Sequence, residues 1–189
     1  MSSKTITFIG AGNMATSLIG GLVADGYDPK RIIASDPDSG KLADLSARFG
    51  IQSAADNSTA IQQADVVVLA VKPQVLERIC DEIRQVVQQR QPLLVSIAAG
   101  IREADMQAWL GGNIALVRTM PNTPAMLQAG ATVLHAGRGV SEAPRDRAES
   151  ILRPVGLTRG VDTAALLAIA PALSGHGPAV FFLVTAPIA

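Results

Sequence analysis

Hydrophobic positions along the chain switch between short unbroken β-branched runs and longer stretches of helical period, which predicts successive βα units around a parallel sheet. Strands are expected at Thr5 to Ile9, Arg31 to Ala34, Val66 to Ala70, Leu93 to Ser96, Ile114 to Arg118 and Ala131 to Leu134. Helices are expected at Asn13 to Ala24, Lys41 to Phe49, Gln74 to Gln88, Glu103 to Leu110 and Ala143 to Leu152. Val66, Val67, Val68 and Leu69 are apolar without alternation, the mark of a strand covered on both faces and so placed in mid-sheet. On the third helix Val75, Ile79, Ile83 and Val86 form one apolar stripe, while Glu77, Arg78, Asp81 and Arg84 face water. Cys80 sits beside that stripe and reads as a small buried hydrophobe rather than a nucleophile.

The charge pattern changes only once: no Asp, Glu, Lys or Arg occurs from Thr163 to Ala189. We therefore divide the chain into an α/β unit, residues 1–162, and the beginning of a helical piece, residues 163–189. Pro171, Gly175, Gly177, Pro178 and Pro187 interrupt the uncharged stretch, with Ser174 and His176 at its middle, so buried helices are expected there rather than a membrane span.

Composition narrows the partners. The 189 residues are 48% hydrophobic and 17% charged, enough to bury a core. Sixteen basic residues balance sixteen acidic ones, leaving no global field to hold a nucleic acid. One cysteine permits no intrachain disulfide, and two distant histidines make no zinc site, so no metal is expected. A start that reaches glycines before any signal-like apolar stretch, together with the lone thiol, points to the cytoplasm.

Gly10, Ala11, Gly12, Asn13, Met14 and Ala15 form a G-x-G-x-x-A run between the first strand and the first helix. Gly10 suits the tight turn, Gly12 lets a pyrophosphate approach the backbone, and Ala15 allows close packing of helix on strand. The helix N-terminus then offers free N–H groups to the phosphates. The expected fold is thus a doubly wound, Rossmann-type dinucleotide-binding domain with the first strand central and Val66 to Ala70 beside it.

Asp36 follows the second strand about 20 residues beyond the motif, where an acid would bind the adenosine ribose hydroxyls. It equally suits the N-terminal cap of the next helix, beside Asp38 and Ser39. As a ribose ligand it would oppose a 2′-phosphate and weaken discrimination in favour of NADPH. Lys72 leaves the carboxyl end of the apolar strand, either beside a cofactor or as a surface lysine ahead of a helix-starting proline. Pro121 and Pro124 bracket Asn122 and Thr123 in a rigid turn.

Five segments taken together resemble the pyrroline-5-carboxylate reductases: FIGAGNMA (Phe8 to Ala15), LAVKPQ (Leu69 to Gln74), SIAAGI (Ser96 to Ile101), VRTMPNTPA (Val117 to Ala125) and ALSGHGPA (Ala172 to Ala179). The resemblance implies transfer of hydride from NADPH or NADH to the imine carbon of 1-pyrroline-5-carboxylate, giving L-proline. It implies that Gly10 to Met14, Ala11 included, hold the pyrophosphate, that Asn57 with Ser35 and Asp36 lies near the adenosine ribose, and that Ala70, Val71, Lys72 and Pro73 with Ala98, Ala99 and Gly100 line the cofactor groove. Asn122 and Thr123 would face the nicotinamide, with Ser174 and Gly175 also on the substrate side; no catalytic acid or base is assigned. The family departs from this chain at His176, usually serine, and at Val180, usually tyrosine.

Family members also continue beyond Ala189 into a helical region that dimerises. The expectations are therefore a C-terminally truncated reductase with a small-molecule substrate, whose homo-oligomer is in doubt and which binds a dinucleotide but reduces pyrroline-5-carboxylate poorly or not at all. The alternatives are a non-catalytic dinucleotide-binding remnant of that family, or another imine or hydroxyacid reductase of the same architecture.

Overall fold

In the computed structural model, which describes residues 4–162, the chain runs β1 (Ile6–Ile9), α1 (Asn13–Ala24), β2 (Ile32–Ser35), α2 (Ser39–Phe49), β3 (Gln52–Ser53), α3 (Asn57–Ile61), β4 (Val66–Leu69), α4 (Pro73–Arg90), β5 (Leu93–Ser96), α5 (Glu103–Leu110), β6 (Leu116–Met120), β7 (Gly130–Ala136), α6 (Glu142–Leu152) and β8 (Gly156–Gly160). One sheet holds these strands in the order β3-β2-β1-β4-β5-β6-β7-β8, parallel through β6. β7 then runs antiparallel to β6, and β8 parallel to β7.

The fully apolar runs are the central strands. Val66, Val67, Val68 and Leu69 are each 0% exposed, with Val66 and Val68 packed into one core and Val67 and Leu69 into the other. The first core is closed by α1, α2 and α6, the second by α3, α4 and α5, so the sheet is doubly wound as expected. Ile79, Ile83 and Val86 are buried as their stripe requires, and Cys80 is buried among them. The chain enters β1 at the amino end of the sheet, where Lys4 pairs with Asp65 at 2.8 Å and the Tyr27 hydroxyl donates to the Lys4 carbonyl at 2.6 Å.

Several boundaries differ from expectation. The sixth strand is Leu116–Met120 rather than Ile114 to Arg118, because the Gln107 side chain takes both backbone groups of Ile114 and keeps it out of the ladder. β3 and β8 were not expected from the pattern, since one is a two-residue exposed edge and the other opens and closes on glycine. The short helix α3 was also missed, although Asp56 caps it through the Thr59 N–H. Asp38 caps α2 through the Gly40 and Lys41 N–H groups, so the capping role open to Asp36 falls to Asp38. β7 and β8 pair with each other from Gly130 and Gly156 onward, whereas the last β6 partner is Val133, so their first residues project past the carboxyl edge of the parallel strands.

Candidate functional site

Five loops leave the carboxyl ends of β1, β2, β4, β5 and β6, and they bring most of the expected site residues to one edge of the sheet. At the first, Gly10 takes φ +101° and its N–H donates to the Ser35 carbonyl at 2.8 Å. A Cβ there would stand 2.6 Å from the Ala70 carbonyl oxygen, so a side chain is excluded by both space and backbone conformation. Gly12 is different in kind: its φ is −78° and nothing lies within 4 Å of the position a Cβ would take. Its openness faces the cleft rather than the fold.

Gly12 is also the N-cap of α1, and no side chain caps this helix. The exposed first-turn residue Asn13 and half-buried Met14 thus head an uncapped helix over open space, an arrangement that fits an anionic pyrophosphate. Ala15 is 1% exposed, in keeping with close packing of α1 on the sheet.

Asp36 is drawn into the same turn. Its Oδ2 accepts from the Ala11 N–H at 2.8 Å and its Oδ1 from the Asp38 N–H at 2.9 Å, so the carboxylate braces the glycine turn against the β2–α2 loop. Ser35 is buried and contributes its carbonyl. Asn57 heads α3 beyond the end of β3, with its amide donating to Glu82 on α4 at 2.9 Å.

On the other side of β1, Ala70 hydrogen-bonds the Ile9 carbonyl through its N–H, with Val71 against the Gly10 turn. Lys72 is the exposed N-cap of α4, and Pro73 begins the helix. The next loop is latched from below: Ser96 Oγ accepts from the Ala98 N–H at 3.3 Å, and Thr119 Oγ1 donates to the Ser96 carbonyl at 3.1 Å. Ala98 is buried, while Ala99 and Gly100 stay exposed, Gly100 at φ +76° with nothing within 4 Å of a Cβ position. Beyond β6, the Asn122 Oδ1 accepts from the Ala131 N–H at 2.8 Å, which ties the proline-bracketed turn to the start of β7 and leaves Thr123 exposed.

A cleft of about 780 Å³ opens beside the glycine turn, between the outer faces of α1 and α2 and the Ala125–Met126 turn. Lys41 lines it with its Nζ 3.7 Å from Asp38 and 4.0 Å from Asp36. Arg48, deeper along α2, is held by Asp44 at 3.0 Å and lies 4.9 Å over the Phe49 ring. Lys41 and the Ser96–Thr119 latch were missed in the sequence. A lysine three residues after a capping aspartate was a visible signal for the first, but the latch joins residues far apart in the chain. Ser174, Gly175 and His176 lie outside the described residues. Among the described residues no group of His, Cys, Asp or Glu forms a metal site, and no helix is long and apolar enough to cross a membrane.

Residues 5–100 match the family described as NADP oxidoreductase coenzyme F420-dependent. A pyrroline-5-carboxylate reductase of Pseudomonas aeruginosa is 46% identical over 183 residues, covering 97% of this chain and 67% of the relative. A solved pyrroline-5-carboxylate reductase from Coxiella burnetii shares 40% identity and a TM-score of 0.93, over 97% of this chain and 68% of that one. The crystal structure of Plasmodium falciparum pyrroline carboxylate reductase, which has NADP bound, shares the fold at 22% identity and TM-score 0.85, over 97% of this chain and 67% of that one. The chain thus spans about two thirds of the length of these relatives.

Proposed function

The chain belongs to the pyrroline-5-carboxylate reductase family, and from that premise we propose how its residues serve the reaction. It is an NAD(P)H-dependent oxidoreductase that reduces 1-pyrroline-5-carboxylate to L-proline, acting on a cyclic C=N bond. The reduced nicotinamide, when bound, supplies the hydride, and a protonated cyclic imine is already electrophilic. What remains for the protein is to hold the two reactants in register and keep water from the reacting carbon.

The observation that carries the residue assignment is the juxtaposition of an open, uncapped glycine turn with three conformationally fixed loops on one sheet edge. In this reading Gly10 shapes the turn, and Ala11, Gly12, Asn13 and Met14 present backbone N–H groups and open space to the pyrophosphate. Ser35, Asp36 and Asn57 lie on the adenosine ribose side. Ala70 to Pro73 and Ala98 to Gly100 form the floor toward the nicotinamide, and Asn122 and Thr123 face the imine. The side-chain oxygen of Asn122 already holds the loop, so it positions Thr123 and the neighbouring backbone.

We assign residues 1–162 to the dinucleotide-binding unit and read the protein as cytoplasmic, with homo-oligomerisation a property of the full-length family rather than of this 189-residue chain; fractionation and sedimentation velocity test these. The reaction is tested by incubating the pure protein with 1-pyrroline-5-carboxylate and each reduced cofactor, following cofactor oxidation and identifying the amino acid formed. Stoichiometric L-proline is the expected product. Cofactor binding without any product would instead identify a non-catalytic binding protein.

A further inference from the structure

The amino edge of the sheet, opposite the glycine turn, carries a small cavity that the reaction does not use. Its volume is about 260 Å³, and it lies where β4 and β5 begin, lined by Arg90 at the end of α4 and Arg147 on α6. These helices pack against opposite faces of the sheet, so one arginine comes to the cavity from each layer. Among the described residues neither is in an ion pair.

Asp65, which shares the lining, is already engaged: Oδ1 accepts from Lys4 Nζ at 2.8 Å and Oδ2 from the Thr5 N–H at 2.8 Å. Burial raises its carboxyl, but the Lys4 and Thr5 bonds, with the charges of Lys4 and Arg147, hold it below the ordinary 3.8. It therefore stays ionised, and Lys4 offsets it. Both arginine charges are left in excess at this edge, in a chain whose formal net charge is 0.

The nearby backbone adds no competing donor. The Asp65 and Leu93 N–H groups go to the Thr5 and Asp65 carbonyls, and Pro92 and Pro144 have none. Pro92 and Leu93 are buried, so one wall is stiff and apolar. An occupant must accept hydrogen bonds, and it must be smaller than the ligands of ordinary pockets of about 300–1,000 Å³. A phosphate group carries about −1.5 to −2 at neutral pH, matching two arginines, and its oxygens suit the guanidinium fork. A single carboxylate matches half of that charge.

We propose that this cavity is a phosphate site separate from the dinucleotide cleft, in which Arg90 and Arg147 each donate to a phosphate group, whether the free ion or a small phosphomonoester. It stands at the opposite end of β4 and β5 from the loops assigned to the cofactor, so both sites fill at once.

The test is calorimetric titration of the 189-residue protein with inorganic phosphate, glycerol 3-phosphate and acetate, with and without saturating NADH. Inorganic phosphate is expected to bind with a Kd of about 1 mM, the strength of two charge-assisted bonds. Arg90→Gln and Arg147→Gln each raise that Kd at least about tenfold, whereas Arg78→Gln, on the exposed face of α4, leaves it within about twofold. Arg90 is exposed, so its variant keeps the fold and decides the matter if Arg147→Gln is unstable. NADH leaves the phosphate Kd unmoved, and acetate binds at least about tenfold more weakly. Glycerol 3-phosphate binding as tightly as phosphate assigns the site to a phosphomonoester; binding of the free ion alone assigns it to inorganic phosphate. No binding at about 10 mM phosphate overturns the proposal, as do equal losses in all three variants or acetate as tight as phosphate. Displacement of phosphate by NADH also overturns it, since the ion would then occupy the glycine turn.

Discussion

Gly10 and Gly12 are two residues apart in one motif, yet their surroundings differ, one crowded at positive φ and the other open. Gly10→Ala forces a side chain onto φ +101° and into the Ala70 carbonyl, and should cost at least about 1–2 kcal/mol of folding stability. Gly12→Ala meets no atom of the protein, so stability should change by less than about 0.5 kcal/mol while dinucleotide affinity falls at least about tenfold. Urea unfolding beside cofactor titration checks both; equal destabilisation, or undiminished binding by Gly12→Ala, would sink the distinction. The turn itself was legible in the sequence because a strand, a G-x-G run and a helix are contiguous. The brace from Asp36 to the Ala11 N–H was not, since it depends on how far apart β1 and β2 place their loops. Cys80 was also read correctly from its place beside an apolar stripe. Burial, with a smaller push from Asp81, raises its thiol to about 12. Such a thiol stays protonated in the fold, and the stability tied to that protonation is present below the ordinary value of 9.0 and lost as pH rises toward about 12. A thiol-specific disulfide reagent at pH 8 should therefore react only at the rate of unfolding; prompt labelling of native protein would contradict this.

Elements with strong internal signals were found where expected: α1 and α5 match to the residue, and β5 does too. Elements whose existence depends on a neighbour were not. β8 carries Gly-Leu-Thr-Arg-Gly and has Leu157 80% exposed, so its hydrophobic pattern says little. It is held instead through Glu149 on α6, whose Oε1 accepts from the Thr158 hydroxyl at 2.8 Å and from Arg153 at 3.0 Å. The Thr158 hydrogen bond, with Arg153 beside it and burial opposing, keeps the Glu149 carboxyl below its ordinary 4.5. A depressed carboxyl lends stability that is complete above pH 4.5 and fades as pH falls through its lower folded value. Glu149→Gln should cost about 1 kcal/mol near neutrality, and the gap from the parent should close on acidification below about pH 4. Denaturant midpoints across that range decide the matter; a gap independent of pH would remove the charge from the account.

For the whole molecule, the fold class was legible because periodicity, glycine punctuation and unbroken apolar strands all pointed to one doubly wound sheet. The reversal at β7 was not, because the two prolines in the preceding turn signal rigidity without direction. A ligand that binds only the folded state stabilises it by mass action, so a cofactor at 100 times its Kd should add about 2.7 kcal/mol, raising Tm by roughly 5–10 °C for a chain of this size. A scan with saturating NADPH that leaves Tm unmoved would deny binding. The pinned start of β1 has a practical consequence of another kind. Lys4, tied to Asp65 and Tyr27, stands at the amino end of the sheet, and the glycine turn stands at the carboxyl end of the same strand. A protein tethered to a sensor surface by its amino terminus is therefore held by the side away from the cleft, and cofactor association measured on the chip should equal that in free solution.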